Sequence, residues 1–173
     1  MSLSTQQLTR LRRARVPDAA QIQQIIRPFA ERDEMLPRSL GEIYENIRDF
    51  FVITEGQGGP VIATAALHVC WSHLAEIKSL AVRADRQGAG HGRTLVEACR
   101  REAVDLELRQ VFALTYQPGF FGKLGFRVVD KATLPHKVWN ECLRCPKFND
   151  CHEVAVLLEL HPASADAQLT LLP

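Results

Sequence analysis

Several features are missing from this 173-residue chain, and each absence narrows what it can be. No apolar run reaches the ~20 residues that a membrane-spanning helix needs. The first residues, Met1 to Leu8, are polar and lack the apolar stretch of a secretion signal. Neither sign of charge is in excess. The 21 Lys and Arg stand against 20 Asp and Glu, so no net field favours nucleic acid or a membrane surface as a partner. Internal repeats, low-complexity blocks and linkers are absent too. Residues 1–173 are therefore expected to form one domain, with its core over about residues 10–160 and polar termini. The five cysteines are odd in number and no signal segment precedes them, which points to a reducing cytoplasm and to unbridged or metal-bound thiols.

What remains is an ordinary globular composition, 46% apolar and 24% charged. Leu11 to Val16 reads as a strand whose arginines form a solvated face, and Asp18 is placed to cap a helix carrying Ile22, Ile25, Ile26 and Phe29 on one side. Ser39 and Glu42 have the spacing of a capping box, and Ile43, Ile47 and Phe50 continue a second amphipathic helix. The period then changes. Phe50 to Thr54, Val61 to Val69 and Leu74 to Val82 read as strands, the first two separated by a turn from Gly56 to Pro60. A glycine-rich stretch leads into a helix with Leu95, Val96, Cys99, Ala103 and Leu106. Strands at Val111 to Leu114, Phe126 to Val129 and Glu153 to Leu160 follow, with a short helix near Phe120 to Leu124. This alternation predicts an α/β layered domain.

The glycine-rich stretch, Gly88-Ala89-Gly90-His91-Gly92, lies between an apolar strand and an amphipathic helix. A helix N-terminus offers unpaired N–H groups and roughly half a positive charge, and glycines ahead of it let an anion approach the backbone. Two better-known phosphate loops are excluded. Gly92 is followed by Arg93 and Thr94 rather than Lys-Ser/Thr, and the position three after Gly90 is Arg93 rather than glycine. Either a tight turn or a pyrophosphate cradle satisfies these residues alone.

Leu80-Ala81-Val82, then Gln87-Gly88-Ala89-Gly90-His91-Gly92 and Leu95, resembles the acetyl-CoA signature of the GNAT superfamily of N-acetyltransferases. Gln87, Gly90 and Gly92 match its Gln/Arg-x-x-Gly-x-Gly/Ala pattern. Phe120-Phe121-Gly122-Lys123-Leu124-Gly125-Phe126 is similar to the second signature of that family. The resemblance implies a mixed, mostly antiparallel central sheet with splayed fourth and fifth strands, flanked by helices. It implies that Leu80, Ala81 and Val82 pair with the pantetheine arm. It further implies that Gln87 to Arg93 receive the pyrophosphate and that Phe121 and Lys123 belong to the cofactor side.

Acetyl transfer to an amine requires a base for the amine, polarisation of the thioester carbonyl and a proton for the thiolate. On the strand Ala75 to Val82, Glu76 is the candidate base. Ideal alternation puts Glu76, Lys78, Leu80 and Val82 on one face and Ser79 on the other, unless a bulge intervenes. The family usually has a tyrosine acid where Phe121 stands, so the acid role passes to Tyr116, to Ser79 or to solvent. The alternative for Glu76 and Lys78 is an ion pair on a solvent-facing strand.

Leu36-Pro37-Arg38-Ser39, the Glu76 strand and Leu114-Thr115 together resemble the acetyltransferase domain of N-acetylglutamate synthases, here as a short form with no preceding amino-acid-kinase domain. This likeness implies an amino-acid acceptor, L-glutamate first, and a place in arginine synthesis. Arg38 would grip the acceptor's carboxylate, with Lys78 and Arg127 near a second one. A second copy of the chain is a candidate partner. Two other readings stand: a transferase for another small amine or a protein N-terminus, and a non-catalytic acetyl-CoA sensor.

The segment Cys142-x-x-Cys145 followed by Cys151-His152 offers three thiolates and an imidazole to zinc. It also lacks the second matched pair of common zinc sites, so unbridged thiols are the expectation. His136 and Lys137 are expected near the acceptor pocket.

Overall fold

The computed structural model describes residues 8–135, 143, 145, 147 and 150–160. Four helices are described, α1 (Ala19–Glu31), α2 (Leu40–Glu45), α3 (His91–Asp105) and α4 (Pro118–Gly122). The strands are β1 (Thr9–Arg13), β2 (Phe50–Glu55), β3 (Val61–Trp71), β4 (Leu74–Val82), β5 (Gln110–Thr115), β6 (Arg127–Val129) and β7 (Val154–Glu159). They follow one another in the sheet as β1-β2-β3-β4-β5-β7-β6. β1 with β2, β2 with β3, β5 with β7 and β6 with β7 run antiparallel, whereas β4 and β5 are parallel.

Residue contacts group the chain into two compact units. The first comprises Met1–Leu67 and Ile77–Cys99, the second His68–Glu76 and Arg100–Pro173. In the first unit the apolar stripe of α1 does what its spacing requires. Ile22, Ile25 and Ile26 are buried with Ile43 of α2, Phe50 and Val52 of β2, and Val61, Ala66 and Ala81. Each of the isoleucine, valine and phenylalanine side chains contributes about 1.5–3 kcal/mol by leaving water, an upper figure because the unfolded chain is partly collapsed. Ser39 and Glu42 form the expected capping box, with Glu42 N–H donating to Ser39 Oγ at 3.2 Å and Ser39 N–H to the Glu42 carboxylate at 2.8 Å.

Two expectations change here. The second helix does not run on through Ile47 to Phe50. Asn46 turns its side-chain amide onto the Glu42 carbonyl (2.8 Å) and terminates α2, and Phe50 opens β2. The arginines of β1 are not all solvated either. Arg12 makes a two-point ion pair with Asp18 at 2.6 and 2.9 Å, and Asp18 also accepts the Arg15 N–H at 2.7 Å. Asp18 therefore holds the position before α1 without capping it, because its carboxylate faces β1.

The second unit has its own core of Leu74, Phe112, Leu134, Ala155 and Leu157. β5 is the hub, paired along its whole length with β7. Its pairing with β4 covers only Leu74–Glu76 against Gln110–Phe112.

Candidate active site

In the first unit, β4 delivers the chain to the glycine stretch. Gln87 donates from its side chain to the Val82 carbonyl at 3.2 Å, folding the loop back onto the strand end. Gly88 and Gly90 have φ of +80° and +82°, a region L side chains rarely enter, and α3 begins at the next residue, His91. Thr94 N–H donates to the Gly90 carbonyl at 3.0 Å and closes the first turn. The glycines serve two ends. Backbone sign demands them, and a Cβ at either would meet no protein atom within 4 Å, so that side of the cradle is open. An open cradle, positive-φ glycines and the first N–H groups of a helix suit a pyrophosphate. Leu80 and Val82 are half-buried and Ala81 buried; Gln87, Gly88, Ala89, Gly90 and Arg93 are exposed, with His91 and Gly92 half-buried.

On β4 the alternation of buried and half-buried residues breaks at Lys78, Ser79 and Leu80, all half-buried, between buried Ile77 and Ala81. Ser79 has φ of +55°. The irregularity in β4 is thus a left-handed residue at the serine, uncommon outside glycine, Asn and Asp and typical of functional sites. Arg38 immediately precedes the α2 cap. Its carbonyl accepts the Gln23 side-chain amide at 3.0 Å, which ties this segment to α1.

In the second unit, Glu76 is half-buried and opposite Phe112, at the last paired position of β4 with β5. Phe112 is opposite Leu157, and Leu157 opposite Arg127, so register puts Glu76 and Arg127 in one row across the sheet. Two residue pairs along, about 7 Å away, Leu74 and Gln110 belong to a cavity of about 500 Å³, lined also by His73, Arg127, Thr133 and Leu134.

The Acetyltransferase (GNAT) domain model matches residues 46–128, which contain β4, the glycine cradle and α3. An uncharacterized N-acetyltransferase of Chlorobaculum tepidum is 39% identical over 152 residues, 88% of this chain and 97% of the relative. The chain belongs to the GNAT acetyltransferases. Another relative, the amino-acid acetyltransferase of Mycobacterium tuberculosis, is 34% identical over 135 residues, covering 78% of this chain and 77% of that one. A Mycobacterium tuberculosis protein solved in complex with CoA superposes with a TM-score of 0.77 at 31% identity, over 88% of this chain and 99% of that one. The N-acetylglutamate synthase of Neisseria gonorrhoeae, complexed with coenzyme A and N-acetyl-glutamate, matches at a TM-score of 0.80. At 24% identity, over 89% of this chain and 35% of the synthase, that match speaks for the GNAT fold. The mixed, mostly antiparallel sheet expected from the two signatures is therefore the architecture found.

Other positions of this GNAT chain fall differently. Phe121 is 4% exposed, its ring edge-on to Phe120 and Phe126 with centroids 5.2 Å apart in both pairs. That packing gives Phe121 a place in the core at the α4–β6 corner, where a phenol would need a buried partner. Lys123 caps the C-terminus of α4 and is exposed. Tyr116 follows β5 and is 37% exposed. Arg127 is largely exposed and pairs with Glu159 at 3.3 Å.

In the cysteine segment, Cys142, His136 and Lys137 lie outside the described residues. Cys145 and Cys151 are half-buried and not disulfide-bonded, and His152 faces Asp150 at 3.3 Å. Among the described residues no group of three or more His, Cys, Asp or Glu is arranged to hold a metal. None of the described helices is long and apolar enough to cross a membrane. Sequence reasoning missed one titratable cluster, in which Lys131 Nζ lies 3.4 Å from Cys151 Sγ and Cys151 lies 3.7 Å from the Glu153 carboxylate. Burial pushes the Glu153 carboxyl up from its ordinary range, against the opposing pull of Lys131. The charge between Cys151-His152 and the apolar strand was its only sequence signal.

Proposed function

We propose that this protein transfers the acetyl group of acetyl-CoA to the α-amino group of an amino acid, L-glutamate foremost, by direct attack. The observation that carries the acetyl-CoA half is the open, positive-φ glycine cradle between β4 and α3. The amino-acid half rests on the name of the Mycobacterium tuberculosis relative and on the Arg38 segment.

In the reaction the neutral amine attacks the thioester carbonyl carbon, the new N–C bond forms, and the C–S bond breaks as the tetrahedral intermediate collapses. Glu76 accepts the amine proton, directly or through one water. Phe121 has no proton to give, so the thiolate takes one from Tyr116, Ser79 or solvent. Arg38 offers a two-point partner to the acceptor's carboxylate, and Lys78 adds positive charge along β4. Arg127 contributes only by exchanging its partner Glu159 for substrate. The CoA arm pairs along Leu80 to Val82, its pyrophosphate meets Gln87 to Arg93, and Lys123 is exposed enough to meet a cofactor phosphate. A glutamate acceptor would make this an entry step in arginine synthesis; the unbridged cysteines favour a reducing, cytoplasmic site of action, and a homodimer is the candidate assembly.

The test is free-thiol release from acetyl-CoA with the twenty amino acids offered separately. Release with glutamate alone supports the proposal. Release with other amines and not glutamate keeps the transferase and removes the arginine pathway. Silence with all twenty, beside measurable CoA binding, turns the reading to a protein acceptor or a sensor.

A further inference from the structure

The turn that feeds the glycine cradle is held by a residue from a distant strand. Glu55 ends β2, and its side chain is only 15% exposed. It accepts Arg86 Nε at 2.7 Å, a second contact from Arg86 Nη2, and Arg83 Nη2 at 3.4 Å. Arg83 and Arg86 bracket the short helical turn Ala84–Arg86 immediately before Gln87. Asp85 completes the arrangement with two hydrogen bonds from Arg83, at 2.6 and 2.8 Å. All of these residues lie in the first unit.

The base that carries Glu55 is itself rigid. Its N–H donates to the Pro60 carbonyl at 3.0 Å. Gly59 packs so closely that a Cβ there would stand 1.7 Å from the Glu55 carbonyl oxygen, which no side-chain-bearing residue tolerates. At the other end, Arg83 N–H donates to the Ile62 carbonyl at 2.9 Å. The segment before the cradle is thus pinned to β3 by its backbone and to β2 by two guanidiniums.

Two arginines so near a pyrophosphate site would ordinarily be read as phosphate ligands. Here two carboxylates, Glu55 and Asp85, already balance them. Resting on the acetyl-CoA reading above, we propose that Glu55 is a positioning residue for the co-substrate: through Arg86 and Arg83 it fixes the turn from which Gln87 to Arg93 present their N–H groups. A donor array that is already ordered binds an anion without first losing its freedom, so relaxing the anchor weakens binding without touching the reacting atoms. The opposite reading has the opposite sign. If the arginines serve as phosphate ligands held in check by Glu55, removing the carboxylate liberates them and tightens binding.

The experiment is Glu55→Gln in the full chain, with Arg86→Gln as a second variant approaching the same contact from its other side. CoA binding by calorimetry is measured beside KM for acetyl-CoA, KM for the acceptor and melting temperature. The expected result is a roughly tenfold weaker Kd for CoA and a matching rise in KM for acetyl-CoA, as for loss of one charge-assisted hydrogen bond. The acceptor KM and kcat at saturating acetyl-CoA should stay within about twofold. The double variant should lose little more than either single one, since both remove the same contact. Unchanged or tighter CoA binding in Glu55→Gln overturns the proposal, as does an equal rise in both KM values. If Glu55→Gln fails to fold, unchanged CoA binding by Arg86→Gln overturns it instead. A wild-type protein that does not bind CoA would sink the transferase reading itself, an outcome distinct from equal binding by wild type and variant.

Discussion

At the scale of single residues, β4 concentrates the chemistry. Glu76 stands at the last position where β4 pairs with β5, half-buried, and Ser79 three residues on is forced into a left-handed conformation. If Glu76 takes the amine proton, Glu76→Gln should lower kcat by about 100-fold or more. KM for acetyl-CoA should hardly move, because the cradle does not involve it; thiol-release kinetics at saturating acceptor decide this, and a retained kcat removes Glu76 from the role. The strain at Ser79 is testable without any substrate. Ser79→Val should be less stable than Ser79→Gly by at least about 1 kcal/mol in urea unfolding, since a β-branched side chain tolerates positive φ worst. Equal stability would mean that β4 relaxes to a regular strand at no cost.

At the scale of elements, long-range ion pairs decide how helices and turns meet strands. Arg12 of β1 grips Asp18 at the entrance to α1, and that guanidinium, with the Arg15 N–H, holds the Asp18 carboxyl below its usual value of 3.8. A lowered carboxyl favours the folded state when ionised. Its contribution is complete above the unfolded value and disappears as pH falls through the lower folded one. Asp18→Asn should therefore cost about 1–3 kcal/mol at pH 7. The gap between wild type and variant should close in acid below the unfolded value, as followed by denaturant melts across pH. A pH-independent gap would assign the loss to packing instead. Glu55 does the same kind of work for the turn before α3, and its partner Arg86 is 31 residues away in sequence.

For the whole molecule, the acetyl-CoA reading implies that ligand and fold are linked. A ligand that binds only the native state adds about 2.7 kcal/mol of stability at a hundred times its Kd. For a chain of this size each kcal/mol corresponds to roughly 2–4 °C in melting temperature. CoA at that excess should thus raise Tm by about 5–10 °C, whether or not an acceptor has been identified. A flat thermal-shift titration would count against CoA binding by the native fold.

Much of this was legible in the chain itself. Periods of two and of 3.6 residues are local properties, and they marked β4 from Leu74 to Val82 to the residue and α1 by its isoleucines. Gly88 and Gly90 were legible for the same reason, because a positive φ at the head of a helix leaves few residues to choose from. Where the second helix stops was not, since Asn46 ends it while an apolar period runs on to Phe50. Tertiary structure alone decided what each charge does. Arg12 was expected in solvent and found on Asp18, Arg127 has Glu159 as its partner along the sheet, and Glu55 carried no signal of its own. Side-chain period says which way a residue points along its own element. Only register and the crossing of distant elements bring charges far apart in sequence, such as Glu55 and Arg86, into contact.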